Sequence, residues 1–342
     1  MKLAVVGVTG VVGETILRVL DERAVAVDAF AAFASRERDE PLQWRGLERP
    51  IRAATAQALR EGAFDAVFFA SSEDASEELA QHAVAGGAVV IDNSSAFRRM
   101  PGVPLVVPEV NAHHVRDDHR IFPVANCTAI VLCVGIAPIA RAAGLASVRV
   151  ATYQAVSGAG KAGLDALASE EATGLGLDER DDEPASPFAR QIFRNVVPQI
   201  GAFGPDGSSD EERKVAVETR KILDLPELHV AATTVRVPVR YAHSEAVFLE
   251  TLRDTSVAEL GEALAQAPGV LFHASGLVTP LEVEGSDLVH VARLRAEGDS
   301  KRHFQAWIVG DQTRKGAATN AVQILELLVE RGRFARPRVG AP

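Results

Sequence analysis

Along the first 125 residues, short apolar runs alternate with segments whose apolar residues recur every three or four positions. The runs at 3–6, 29–34, 66–70, 88–91, 105–107 and 121–124 predict strands, and 12–20 and 76–85 predict helices. Strands alternating with helices describe a parallel α/β sheet. From position 147 the pattern changes to longer alternating stretches at 148–154, 228–238, 246–252 and 288–294, more typical of a mixed or antiparallel sheet. Between them, 177–187 and 204–212 read as loops, and the acidic run Asp178-Glu-Arg-Asp-Asp-Glu183 as a solvated one. The segment 316–332 predicts an amphipathic helix with Val322, Leu325, Leu328 and Val329 on its apolar face. A terminal helix of this kind packs back on a first domain. The expected fold is α/β: a Rossmann-like dinucleotide-binding domain of residues 1–126 plus 317–342, and an inserted α+β domain of residues 127–316.

Composition narrows the function classes. At 342 residues the chain accommodates two domains. A formal charge of −10 argues against a nucleic-acid or anionic-membrane partner, leaving small anions to local Arg and Lys clusters. No apolar stretch approaches the ~20 residues of a membrane span. The strand-like run from Lys2 predicts no leader in this sequence, and Cys127 and Cys133 make no disulfide framework. The reducing cytoplasm is the expected compartment.

Gly7, Gly10 and Gly13 follow the first strand and open the first helix, with Thr9, Val11 and Val12 between them. Glycines there allow a tight turn and let backbone N–H groups approach a pyrophosphate at the helix N-terminus. The spacing is G-x-x-G-x-x-G, but the strand–turn–helix context is that of a dinucleotide site. At the end of the second strand an NAD site places an acid for the ribose 2′-hydroxyl. Here Ser35-Arg36-Glu37-Arg38 offers guanidinium groups suited to a 2′-phosphate, so NADP is favoured, although Glu37 points the other way. Ser71 and Ser72 end the third strand, where cofactor-facing loops of this architecture lie. The glycine spacing also occurs in extended short-chain dehydrogenases, but neither Tyr153 nor Tyr241 has the Lys four residues on that their Tyr-x-x-x-Lys pair requires.

Cys127 stands where an apolar run ends in Asn126-Cys127-Thr128 and a long apolar helical segment begins. Unpaired N–H groups and the positive end of a helix dipole favour thiolate there. From this segment alone, a buried structural cysteine and an activated nucleophile are equally good readings. Cys133, further along the same helix, reads as a small apolar residue. His113, His114, Asp117, Asp118 and His119 fit no metal-ligand spacing and read as a polar helix start; no metal is expected.

Several segments then occur in order: Asn93-Ser-Ser-Ala-Phe-Arg98, Val106-Val-Pro-Glu-Val-Asn111, Asn126-Cys127-Thr128, Thr152-Tyr-Gln-Ala-Val-Ser-Gly-Ala-Gly160, Glu211-Glu-Arg-Lys214, Val235-Arg-Val-Pro-Val239, Ala242-His-Ser-Glu245, Gly310-Asp-Gln, Lys315-Gly-Ala-Ala-Thr-Asn320 and Gln323. Together they resemble the bacterial aspartate-β-semialdehyde dehydrogenase family along nearly the whole chain. Ala125, where that family usually has Pro, and Ser35-Arg-Glu-Arg38 depart from its pattern. The resemblance implies a glyceraldehyde-3-phosphate-dehydrogenase-like fold and reduction of L-aspartyl 4-phosphate by NADPH through a thioester on Cys127. It further implies His243 as acid/base and Gln154 as the amide beside the nucleophile. Arg236 would hold the α-carboxylate, Glu211 the ammonium, Arg98 and Lys214 the phosphate, with Asn126 beside them. Ser157, Gly158, Asn320 and Gln323 would join the cofactor site, and the second domain's sheet would form a homodimer. Two alternatives stay open: N-acetyl-glutamyl-phosphate reductase, whose nucleophile segment normally reads Pro-Gly-Cys-aromatic, and an inactive NADP-binding paralogue with a sensor or assembly role.

Overall fold

The computed structural model describes residues 1–174 and 186–334; the acidic run at 178–183 lies outside them. The chain divides into two compact units, residues 1–125 with 318–342, and residues 126–317. In unit 1 the chain runs β1 (Lys2–Val6), α1 (Val11–Glu22), β2 (Ala29–Ala34), β3 (Arg38–Trp44), β4 (Leu47–Ala53), α2 (Ala56–Glu61), β5 (Ala66–Phe69), α3 (Glu73–Ala85), β6 (Val89–Asp92), α4 (Pro108–Asn111) and β7 (Ile121–Pro123). Unit 2 holds α5 (Cys127–Ala143), β8 (Leu145–Gln154), α6 (Gly160–Thr173), α7 (Asp210–Leu223), β9 (His229–Arg236), β10 (His243–Thr251), α8 (Val257–Ala265), β11 (Val270–His273), α9 (Pro280–Val283), β12 (Val289–Ala296) and β13 (His303–Gly310). A π-helical turn, Arg314–Ala318, leads into α10 (Thr319–Glu330) of unit 1.

The sheet of unit 1 has the order β3-β4-β2-β1-β5-β6-β7, parallel except for β3. The cross-strand neighbours of β1 are β2 and β5, so the loops after these three strands lie side by side at the carboxyl edge, where such sheets bind ligands. The side-chain layer under α2 and α3 joins Phe33, Phe64, Phe69, Leu59 and Leu79 in one core.

The predicted strand at 105–107 does not form. Its backbone is instead satisfied by two side-chain amides: Asn111 accepts from Val107 N at 2.8 Å and donates to Leu105 O at 2.9 Å, and Asn320 on α10 donates to Val106 O at 2.9 Å. With its polar groups met this way, the apolar run is buried without a sheet partner. The β3–β4 hairpin was not expected from the sequence, because its residues are charged and largely exposed. It turns at Arg45-Gly46, both with positive φ as a two-residue hairpin loop requires.

The sheet of unit 2 is mixed, in the order β11-β12-β13-β10-β8-β9. α5 is apolar all round and buried along most of its length, as a central helix should be. The stretch expected to be loop up to 212 already contains the first turn of α7, whose capping box joins Ser209 and Glu212. The stretch expected as a polar helix start at 113–119 is a 3₁₀ turn, Ala112–His114, followed by loop. Among the described residues no His, Cys, Asp or Glu group fit to hold a metal occurs, and no helix is long and apolar enough to cross a membrane.

Candidate active site

In unit 1 the glycine turn is built for close backbone approach. Gly7 has φ +86°, and a side-chain carbon on it would lie 2.2 Å from Ala70 O; one on Gly13 would lie 2.2 Å from Gly7 O. The N-cap of α1 is Gly10, which offers no side-chain cap to the helix N–H groups. Uncapped donors at a positive dipole end fit a phosphate. Thr9 is exposed and Val11 and Val12 half-buried at this mouth. Ser71 hydrogen-bonds Ser76 at 3.4 Å beside Gly7, while Ser72 caps α3. Ser35, Arg36 and Arg38 are exposed, and among the described residues neither guanidinium has an ion-pair partner. Arg98 is half-buried and donates to Asn93 O at 3.0 Å. Asn320 is fully buried, and Gln323 donates to Glu109 at 2.8 Å.

In unit 2, Cys127 is the first residue of α5, which Asn126 caps through a 3.1 Å bond from Ala129 N. Its Sγ lies 3.6 Å from His243 Nε2. His243 begins β10 and is fully buried. Ala155 N donates to its Nδ1 at 3.1 Å. A backbone N–H only donates, so Nδ1 carries the lone pair and a neutral ring holds its proton on Nε2, facing the sulfur. Burial, then the charge of Arg236, holds the imidazole pKa well below its usual value, so the ring is neutral at pH 7.

One carboxylate oxygen gathers the neutral groups around the nucleophile. Glu211 Oε1 accepts from Asn126 Nδ2 at 3.0 Å, Gln154 Nε2 at 3.1 Å and Thr128 Oγ1 at 3.3 Å. Arg236, 6% exposed, ends β9 and donates to Ala155 O at 2.7 Å. Desolvation lowers its pKa, opposed by Glu211 and Cys127. No carboxylate among the described residues ion-pairs with it. A buried guanidinium left so is costly unless an anion completes it. Lys214 is half-buried on the face of α7 that follows Glu211. Ser157 uses its hydroxyl between Arg240 O and Gln312 Nε2.

Two glycines make room for this cluster. A side-chain carbon on Gly158 would lie 2.7 Å from Arg236 Nη1 and 3.4 Å from His243 Nε2; one on Gly316 would lie 3.0 Å from Cys127 Cβ. Gly316 had gone unassigned in the sequence; its signal was a glycine inside an otherwise helical segment. Glu218 was also missed. It is buried on α7 and accepts from Asn126 N at 2.6 Å.

Two residues beyond His243, on the same face of β10, Glu245 is fully buried with neither carboxyl oxygen bonded to a described group. Burial raises its pKa well above the usual value. Below the unfolded pKa both states are protonated and nothing is lost. Above it the unfolded chain releases a proton the folded chain keeps, so stability falls as pH rises toward the folded pKa, by about 1.4 kcal/mol per pH unit. Glu245→Gln is therefore expected to gain stability over the native chain as pH rises above the ordinary carboxyl range, measured by urea unfolding. A difference independent of pH would refute a protonated Glu245.

Comparison with known proteins agrees with both units. Residues 2–118 match the family model for the semialdehyde dehydrogenase NAD binding domain, and 136–315 that for the semialdehyde dehydrogenase dimerisation domain. The aspartate-semialdehyde dehydrogenase of Aquifex aeolicus is 41% identical, over 97% of this chain and 98% of its own. That of Bacillus subtilis is 38% identical over 96% and 97%. Aspartate semialdehyde dehydrogenase II from Vibrio cholerae, whose crystal structure has also been solved complexed with ASA, superposes with a TM-score of 0.89 at 37% identity, over 96% of this chain and 98% of its own. With relatives this similar over nearly its full length, the chain belongs to the semialdehyde dehydrogenase family.

Proposed function

We propose that this chain reduces L-aspartyl 4-phosphate to L-aspartate 4-semialdehyde and phosphate with NADPH, in the biosynthesis of lysine, threonine, methionine and isoleucine. The observation that carries the proposal is the Cys127–His243 pair at 3.6 Å, set beside a buried, unpaired Arg236. Substrate and activity follow the similarity to relatives named for this semialdehyde.

The Cys127 sulfur attacks the acyl carbon; a C–S bond forms, the C–O bond to phosphate breaks, and phosphate leaves with the electron pair. Splitting the displacement in two lowers each barrier. His243 is assigned the acid/base step: its Nε2 faces the sulfur, and its proton is assigned to the oxygen that gains charge as the acyl carbon turns tetrahedral. Backbone N–H groups at the start of α5 add to that stabilisation. Gln154 holds the nucleophile's surroundings without adding charge. Arg236 takes the α-carboxylate through a bidentate fork that lysine lacks. Glu211, anchored through Oε1, is assigned the ammonium. Lys214 is assigned the phosphate, and Arg98 carries the same assignment.

Bound NADPH supplies the hydride that reduces the thioester. Residues 1–126 with 317–342 are assigned to cofactor binding: the Gly7–Gly13 turn for the pyrophosphate, Ser35, Arg36 and Arg38 for a 2′-phosphate, Ser71 beside them, and Asn320 and Gln323 on α10. Ser157 and Gly158 carry the same assignment by resemblance. Residues 127–316 are assigned to catalysis and homodimer formation. The outer face of the unit 2 sheet exposes Tyr153 and Phe248, apolar surface fit for a second copy. A cytoplasmic location suits this biosynthetic role.

The test is a phosphate-dependent oxidation assay with two aldehydes and both cofactors. Aspartate semialdehyde with NADP is expected to be the preferred pair, and Arg36→Ala or Arg38→Ala to erode the preference for NADP. Preference for N-acetylglutamate semialdehyde would overturn the substrate, and equal use of NAD and NADP the cofactor.

A further inference from the structure

A capping box satisfies two helix-end N–H groups at once: the N-cap side chain accepts from the third helical N–H, and a Glu or Gln at that third position accepts from the N-cap N–H. α5 has the first half, since Asn126 accepts from Ala129 N at 3.1 Å. The second half is missing within the helix, because the third position is Ala129. Glu218 supplies it from another helix, accepting from Asn126 N at 2.6 Å in a buried setting. Glu211, two turns earlier on α7, holds the Asn126 side chain at 3.0 Å. The buried stripe of α7 thus grips both the backbone and the side chain of the residue before Cys127.

We propose that Glu218 is a positioning residue for the Cys127 reaction: an acceptor from α7 completes the cap of α5 and fixes the nucleophile's first turn. Its work is done by an oxygen at the right reach rather than by negative charge, since an anion beside a thiolate opposes ionisation. This rests on Cys127 being the nucleophile, as proposed above. Small misplacements of a reacting group cost large factors in rate, so the effect falls on kcat while KM holds.

Two conservative variants of the full-length protein separate reach from charge. Glu218→Gln keeps the length and an acceptor oxygen but loses the charge; Glu218→Asp keeps the charge but withdraws the oxygen by one methylene. We expect Glu218→Asp to lower kcat for aspartate semialdehyde oxidation by roughly tenfold or more with KM nearly unchanged. Its alkylation of Cys127 by iodoacetamide should slow across the pH profile. Glu218→Gln should restore both towards the native protein. The reverse order, equal loss in both variants, or native behaviour in both overturns the inference. Each comparison is made against native protein and Cys127→Ser: an inactive native protein, or an active Cys127→Ser, would instead discredit the underlying nucleophile assignment.

Discussion

Replacing Cys127 with serine is expected to cut phosphate-dependent oxidation of aspartate semialdehyde to below about 1% of the native rate, because an unactivated hydroxyl is a far poorer nucleophile than a thiolate. The substitution is close to isosteric at the first turn of α5, so the fold and the Asn126 cap should persist. Cofactor binding is assigned to residues of unit 1 together with Ser157 and Gly158 of unit 2; the substitution alters none of them, so it should also survive, as measured by titration with NADP. His243 Nε2–H remains in place but faces an oxygen that it cannot turn into a good nucleophile. Turnover above a few per cent would remove the covalent route, whatever became of cofactor affinity.

The second large effect is expected at Arg236. Arg236→Lys preserves the charge and shortens the list of donors, leaving one ammonium where a planar fork met a carboxylate. We expect kcat/KM to fall by about a hundredfold, the equivalent of ~2–4 kcal/mol for a lost contact to a charged group. The guanidinium's bond to Ala155 O ties it to the same backbone segment that holds His243 Nδ1, so part of the loss should appear in kcat. Retained alkylation of Cys127 and an unchanged melting temperature would separate this from unfolding. Activity within a few-fold of native would place the carboxylate elsewhere.

Much of this arrangement was legible in the sequence, and the rest was hidden for physical reasons. The strands β1, β2, β5, β6 and β7 were visible because buried parallel strands are continuous apolar runs. The strand expected at 105–107 shared that signature, but periodicity does not show that side chains of Asn111 and Asn320 take over its backbone bonds. β3 and β4 were invisible for the opposite reason: a charged, exposed hairpin has no apolar alternation, and Arg45-Gly46 is not the usual turn pair. Cys127, His243, Gln154, Glu211 and Arg236 were singled out by motif order, and unit 2 gathers them into one cluster. Glu218 escaped because the buried stripe of α7 carries carboxylates where an amphipathic helix should carry apolar residues. Its bond to Asn126 joins residues 92 positions apart, beyond any local pattern.

The central claim is a thioester on Cys127, and it is tested by mixing the protein with aspartate semialdehyde and NADP in the absence of phosphate. Oxidation of the aldehyde to the thioester releases one hydride to NADP and then stalls. The account predicts a burst of NADPH stoichiometric with protein, an aspartyl adduct on the Cys127 peptide by mass spectrometry, and discharge of that adduct by added phosphate. A burst without an adduct, or an adduct on Cys133 in place of Cys127, would contradict it.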